Sequence, residues 1–358
     1  MLKVLAYPAS WLFRLFLNIR HKLFDSGQIK SVRFDNVVTI CVGNLTVGGT
    51  GKTPFTEMLV ESLSQTHKVA VLSRGYGRRS SGFVEVTTRS SYKQVGDEPK
   101  QIKLKFPDVK VVVCEKRVEG VQRIMELYPD TDVIIMDDAF QHRYIEPTIN
   151  IVLVDYNRPI YEDQLLPVGN LRDLPSQLPR AHFVCVTKCS DTMTPMDMRV
   201  MINGLKLFPY QNQFFTRMIN GTPQPVFADE AIVSNVVSGS NVLALAAIGN
   251  PQPFVNSLEM RYNVVDQMLF RDHHPYNVND MAKLEERLAQ LPEDTIIVTT
   301  EKDAVKLTGR KRIPHNIRKR LFFVSVQISF VSETREKFIN QLEKYVRKNQ
   351  TDSLLYTK

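Results

Sequence analysis

A chain of 358 residues, 43% of them hydrophobic, is long enough to build two cores of ordinary size, which excludes a disordered protein. The formal net charge of +8 asks for an anionic partner, yet the chain has neither zinc-finger spacing nor an aromatic-plus-basic RNA-binding pattern, so nucleic acid is not expected. Cys41, Cys114, Cys185 and Cys189 show no paired spacing and mostly fall in apolar runs, so they read as buried thiols of a reducing compartment rather than disulfides or metal ligands.

In chain order, the first feature is MLKVLAYPASWLFRLFLNIRHKLFDSG. Its longest charge-free run, Val4 to Phe13, falls short of the roughly 20 apolar residues that cross a bilayer, and no small-residue cleavage site follows. Leu12, Leu15, Phe16, Ile19 and Leu23 share one helical face, with Arg14, Arg20, His21 and Lys22 supplying charge beside Trp11 and Phe13. Residues 1–28 therefore read either as a helix lying in an anionic membrane interface or as an amphipathic helix packed on the domain behind it.

The next stretch is VVTICVGNLTVGGTGKTPFTEMLVESL, Val37 to Leu63. An apolar run with the β-branched content of a buried strand meets a Gly-rich turn, and helical spacing resumes at Phe55, Met58, Leu59 and Leu63. This is the pattern of strand, phosphate loop and helix. Thr46, Val47, Gly48, Gly49, Thr50 and Gly51 would wrap phosphates with backbone N–H groups, Lys52 would reach the outer phosphates, and the Thr53 hydroxyl would hold Mg2+. Thr46 stands where the general phosphate-loop pattern has its first glycine.

Beyond the loop, Val69 to Leu72, Val109 to Cys114, Asp132 to Met136, Ile149 to Val154 and His182 to Thr187 read as strands covered on both faces, with Glu115 to Tyr128 as a connecting helix. The turn Ser80 to Gly82 before Phe83 to Val86 suggests a local hairpin. The pattern loosens near Phe214 to Val226, and a second set of strands follows at Val242 to Ala247, Val264 to Phe270, Thr295 to Thr299 and Leu321 to Val326, with a helix at Met281 to Leu291. From Glu333 a charged amphipathic helix leads into a loose tail beginning at Asn349. The expected fold is α/β: a phosphate-loop core with a mainly parallel, helix-flanked sheet over residues 29–215, and a smaller α/β lobe over 226–348.

Several side chains could carry chemistry. Asp137 and Asp138 close a strand, where a Mg2+-coordinating carboxylate belongs. In GDEP, Asp97 and Glu98 precede a helical pattern, and spacing alone favours Asp97 as a helix cap. SRGYGRR offers Arg74 and Tyr76, while Arg117 and Arg172 are further cations for an anion. FRDHHPY sets His273 and His274 beside Asp272, of which at most one would point into a cleft. TTEKDAVK starts a possible ligand loop at Lys302 and Asp303, and VTKCSD departs from a guanine-reading motif, which disfavours GTP.

Together YPASWLFRL, VGNLTVGGTGKTP, SRGYGR, VGDEP, DDAFQH, LLPVGNLRDLP, FRDHHPY and TTEKDAVKL resemble, in that order and over nearly the whole chain, the tetraacyldisaccharide 4'-kinase family, the lipid A 4'-kinases of Gram-negative bacteria. The resemblance implies phosphorylation by ATP of the 4'-hydroxyl of a lipid disaccharide 1-phosphate at the cytoplasmic face of the inner membrane, with no obligate protein partner inferred. It implies that Asp97 is the base paired with His273, reversing the reading from spacing. Lys52 and Thr53 become the phosphate and Mg2+ contacts and Asp137 and Asp138 the metal-site acids, while Arg74, Tyr76, Glu98, Arg117, Gln141 and Arg172 are left for the substrate. The residues alone leave two alternatives, a nucleotide-driven switch of the GGTGK type and a kinase for a soluble sugar.

Overall fold

The computed structural model describes residues 2–233, 236–309 and 313–356. The chain runs through α1 (Leu2–Asp25), β1 (Val38–Asn44), α2 (Lys52–Leu63), β2 (Val69–Ser73), β3 (Val84–Val86), α3 (Tyr92–Val95), α4 (Asp97–Lys105), β4 (Lys110–Val113), α5 (Arg117–Leu127), β5 (Val133–Asp137), β6 (Ile149–Asp155), β7 (Phe183–Thr187), α6 (Pro195–Leu205) and β8 (Asn212–Asn220). It continues through β9 (Gln224–Pro225), β10 (Asn241–Ala246), α7 (Gln252–Glu259), β11 (Asn263–Leu269), α8 (Val278–Ala289), β12 (Ile296–Thr300), α9 (Glu301–Thr308), α10 (His315–Arg320), β13 (Leu321–Val324), β14 (Val326–Phe330) and α11 (Arg335–Tyr356).

Among the described residues the main sheet has the order β14-β8-β7-β6-β1-β5-β2-β4-β3, parallel except for the antiparallel edge strands β3 and β14. Every residue of β1, β2, β5, β6 and β7 is buried, as unbroken apolar runs require when helices cover both faces. One face packs on α1, α5 and α6 and the other on α2, α4 and α11. The pairing of Val42 with Asp137 brings the phosphate loop and the paired aspartates to the same carboxyl end of the sheet, at its centre. The smaller sheet, β11-β10-β12-β13-β9, has its own two apolar layers.

Three expectations need correction. The small lobe does not run to residue 348: β14 returns to pair with β8, and α11 buries Phe338 against Phe55, Phe183 and Phe214 of the main core. The second lobe is an insertion between β8 and β14. The segment Phe83 to Val86 forms no local hairpin, because β3 pairs with β4, which arrives only after α3 and α4. The tail from Asn349 is helical through Tyr356, and residues 357 and 358 lie outside those described.

Helix α1 carries two different stripes. Leu17, His21 and Phe24 are buried, His21 sits 2.7 Å from Asp173, Ser10 donates to the Leu165 carbonyl and Arg20 to that of Gln141. This stripe meets the packing expectation. On the other side Trp11 (63% exposed), Leu12, Leu15, Phe16 (57%) and Ile19 face solvent, while Leu23 is half-buried. A stripe of that kind is unusual on a freely soluble surface.

Candidate active site

The phosphate loop leaves β1 at Asn44 and enters α2 at Lys52. Its first residues are held by the chain and not left open: Thr46 bridges Leu171, and the Val47 amide donates to the Asn170 carbonyl at 2.8 Å. Those two residues therefore brace the loop. Among the described residues the amides of Gly48, Gly49, Thr50 and Gly51 have no partner, which leaves them available to an anion. Thr50 fixes their direction, since its hydroxyl accepts from Asn44 Nδ2 at 2.7 Å and its carbonyl from the Thr187 hydroxyl at 2.9 Å. Gly51 caps α2 in the left-handed region (φ 87°), a backbone conformation that favours glycine, and a Cβ there would also meet the terminal methyl of Met218, which would have to move.

The acids of β5 and the turn after it differ in their partners. Asp138, at a left-handed φ of 49°, binds the Arg172 guanidinium through both carboxylate oxygens and lies 3.7 Å from Lys52 Nζ. Burial pushes Asp138 up, but the hydrogen bond from Arg172 and the charge of Lys52 more than offset it and hold the group below the ordinary carboxylate range. Asp137 is buried and accepts one hydrogen bond, from Thr56 at 3.3 Å. Burial first, then the charges of Glu98 and Asp138, raise it to about 7. Asp137 is thus a carboxylate short of positive charge. The Thr53 hydroxyl makes no hydrogen bond among the described residues.

Across the cleft the two lobes meet at Asp97. Gly96 at φ 94°, packed on Gly75, caps α4, and Asp97 is the first helical residue with no side-chain capping bond, so the reading from spacing fails here. Its carboxylate turns instead to the inserted lobe, where His273 Nδ1 lies 3.1 Å from Asp97 Oδ2. His273 itself has a left-handed φ of 58°, an uncommon conformation for a non-glycine residue. Lys302 Nζ lies 3.8 Å and Lys306 Nζ 3.9 Å from the same oxygen. Burial pushes Asp97 up, but the bond from His273 and the charges of Lys302, His273 and Lys306 bring it below its ordinary value. The bond to Asp97 raises His273 in turn, against burial and Lys302. His274 points elsewhere, 2.8 Å from Asp280.

The other expected residues divide. Glu98 joins the same cluster through Lys302 at 3.2 Å, and the exposed Tyr76 ring lies 5.6 Å from that of His273. Gln141 donates to the Asn44 carbonyl at 2.8 Å, and Arg172 also reaches Asn44, so both brace the loop. Arg117 is buried, not a surface charge: one nitrogen donates to the Cys114 and Glu115 carbonyls, while Nε has no partner among the described residues. Arg74 is exposed and forms no hydrogen bond or ion pair among the described residues. Sequence reasoning missed Thr56 and Lys306, and it marked Lys302 as the start of a possible ligand loop without giving it a partner. Only TTEKDAVK carried a signal for the lysines, which lie three and seven residues past the Thr299 that closes its strand run.

The sequence matches the family described as Tetraacyldisaccharide-1-P 4'-kinase over residues 2–347. The chain belongs to that family. It is 41% identical over 352 residues to a tetraacyldisaccharide 4'-kinase of Phocaeicola vulgatus, covering 97% of this chain and 96% of the relative. A tetraacyldisaccharide 4'-kinase of Bacteroides fragilis is 39% identical, with 98% and 94% covered. The crystal structure of an "apo" form of LpxK from Aquifex aeolicus in complex with ATP superposes with a TM-score of 0.74 at 27% identity, covering 97% of this chain and all of that one. The kinase family, the phosphate-loop core and the second α/β lobe therefore stand together.

Proposed function

We propose that this chain transfers the γ-phosphoryl group of ATP to the 4'-hydroxyl of a tetraacyldisaccharide 1-phosphate at the cytoplasmic face of the inner membrane. The observation that carries the reading is the Asp97 and His273 pair, in which each lobe contributes one member, beside a phosphate loop with open amides. Phosphoryl transfer asks chiefly for positioning and charge neutralisation. Gly48 to Gly51 and Lys52 bind and orient the phosphates, and Asp97 accepts the hydroxyl proton as the sugar oxygen attacks. His273 holds Asp97 in place.

Mg2+ fits this site. Asp137 is a buried carboxylate that forms no ion pair among the described residues and on which burial outweighs the charges of Lys52 and Arg117, the Thr53 hydroxyl makes no hydrogen bond among them, and Asp138 is already engaged by Arg172. No group of three or more His, Cys, Asp or Glu side chains suited to a metal occurs among the described residues, and Mg2+ commonly takes one or two carboxylates together with substrate phosphates. When bound, the ion would neutralise charge on the phosphates. Thr53 and Asp137 would hold it.

No described helix is long and apolar enough to cross a membrane. The outward stripe of Trp11, Leu12, Leu15, Phe16 and Ile19, with Arg14 and Lys22 also exposed, would instead lie in the interface of an anionic bilayer and bring the cleft to a lipid that stays there. The test is ATP turnover by purified protein with Mg2+ and detergent, with and without the tetraacyl disaccharide 1-phosphate. Lipid-dependent transfer of label is the expected result. Steady ATP hydrolysis with no labelled lipid would overturn the reading in favour of a nucleotide-driven switch.

A further inference from the structure

Lys302 is the second residue of α9, a helix whose start is fixed by the Thr300 hydroxyl accepting from the Asp303 amide at 3.2 Å. From there its side chain leaves the inserted lobe and reaches α4. Nζ lies 3.2 Å from Glu98 Oε1, 3.8 Å from Asp97 Oδ2 and 3.5 Å from His273 Nε2. One ammonium therefore touches both members of the pair and the carboxylate beside them. An ammonium has donors only, so the imidazole nitrogen facing it must accept, and the ring proton belongs on Nδ1, where it points at Asp97.

We propose that Lys302 is a positioning residue that holds His273 in the Nδ1–H form from within the inserted lobe and keeps Asp97 ionised across the contact between the lobes. The proposal rests on Asp97 being the base of the reaction set out above. During transfer the O–H proton of the sugar moves to Asp97 as the oxygen bonds to the γ-phosphorus. The bond from phosphorus to the bridging oxygen breaks, and its electron pair stays on the ADP that leaves. Lys302 moves no proton. It keeps the acceptor empty beforehand by disfavouring protonation of both Asp97 and His273 Nε2.

Among the described residues no other cation contacts both members of the pair, although Lys306, 3.9 Å from Asp97 Oδ2, also favours its ionised form. Lys306 is buried and already satisfied by Asp303 at 2.9 Å and by the Ala247 carbonyl at 3.4 Å. Asp272, on the same loop as His273, lies 3.8 Å from Nε2 and pulls the other way, toward protonation. Glu98 on α4 anchors Lys302 itself, and Tyr76 contributes an aromatic ring. Burial lowers Lys302, but Glu98, Asp97 and Asp272 more than offset it, so the group stays an ammonium.

Loss of the ammonium raises the proton affinity of His273 and of Asp97 alike, so the acidic limb of activity moves upward whichever of the two governs it. The experiment uses the full chain in two readouts: kcat/KM against pH in the lipid transfer assay, and nitrogen-15 histidine NMR with His273 assigned through His273→Gln. In wild type the spectrum should show the proton on Nδ1. In Lys302→Met both the His273 midpoint and the acidic limb should rise by about one pH unit, and Lys302→Arg should return them toward wild type. If Lys302→Met does not fold, Lys302→Gln serves in its place. A His273 titration unchanged by loss of the charge, or a wild-type ring protonated on Nε2, would overturn the proposal. Failure of wild type to phosphorylate the lipid would bring down the proposed function alone, because the NMR titration still decides the role of Lys302.

Discussion

Asp97 and His273 stabilise one another in opposite pH directions, and this sets the window in which the lobes hold together. Asp97 has a lowered pKa, so its contribution is present above the ordinary carboxylate value and is lost as pH falls through the lowered one. His273 has a raised pKa, so its contribution is complete below the ordinary imidazole value and is lost as pH rises through the raised one. Contact between the lobes should therefore be tightest between those limits and loosen on both sides. Hydrogen exchange of α4 and α9 amides against pH would check this, and protection unchanged across the range would refute it. For catalysis, Asp97→Asn and His273→Ala should each lower kcat by about 10²-fold or more while leaving ATP affinity intact. Loss of ATP affinity in Asp97→Asn would mean that Asp97 belongs to the nucleotide site and is not the base. Spacing pointed to Asp97 as a cap because a carboxylate at a helix start is most often one, and only the opposing lobe shows that its partner is His273.

At the scale of elements, what lies within one strand, turn and helix was readable in advance. β1, the loop and α2 follow from a β-branched run, glycines and resumed helical spacing, all local signals. The pairing of β14 with β8 was not readable. The chain between them folds as a separate lobe, and nothing in a five-residue strand says which distant edge it will join. Helix α1 shows the same limit from another side. Its apolar residues were legible, but the assignment of stripes was not, because Leu17 and Phe24 go to the core while Phe16 and Ile19 stay outside. That division makes the two roles separable. Trp11→Glu with Phe16→Glu should abolish cosedimentation with anionic vesicles and change stability by no more than about 0.5 kcal/mol per site. Leu17→Ala should cost about 2–5 kcal/mol and leave vesicle binding in place. Unchanged sedimentation of the double variant would reduce α1 to a packing element. Deleting the helix would be a poorer test, since it also removes the His21 and Asp173 contact.

Over the whole molecule, the insertion of one lobe into the other decides how chemistry and structure are coupled. The chain crosses between lobes twice, and the crossings run side by side, with the Gly221 amide donating to the Ser325 carbonyl at 2.9 Å. All other contact described between the lobes comes through facing surfaces, including Lys302 to Glu98 and Lys105, which bridges Glu57 at 2.6 Å and Glu301 at 3.7 Å. The main domain keeps its full sheet, its phosphate loop and both aspartates without the insertion, whereas Asp97 loses every cation named beside it. Replacing residues 222–324 by a short Gly-Ser linker between Gly221 and Ser325 should therefore leave a folded domain that still binds ATP, because ends already this close need little loop closure. Phosphorylation of the lipid should fall at least as far as in His273→Ala. Circular dichroism with ATP titration separates the outcomes. A domain that folds and binds ATP would locate the nucleotide site wholly outside the insertion, and a domain that unfolds would show that the contact of α4 with α9 is part of its core.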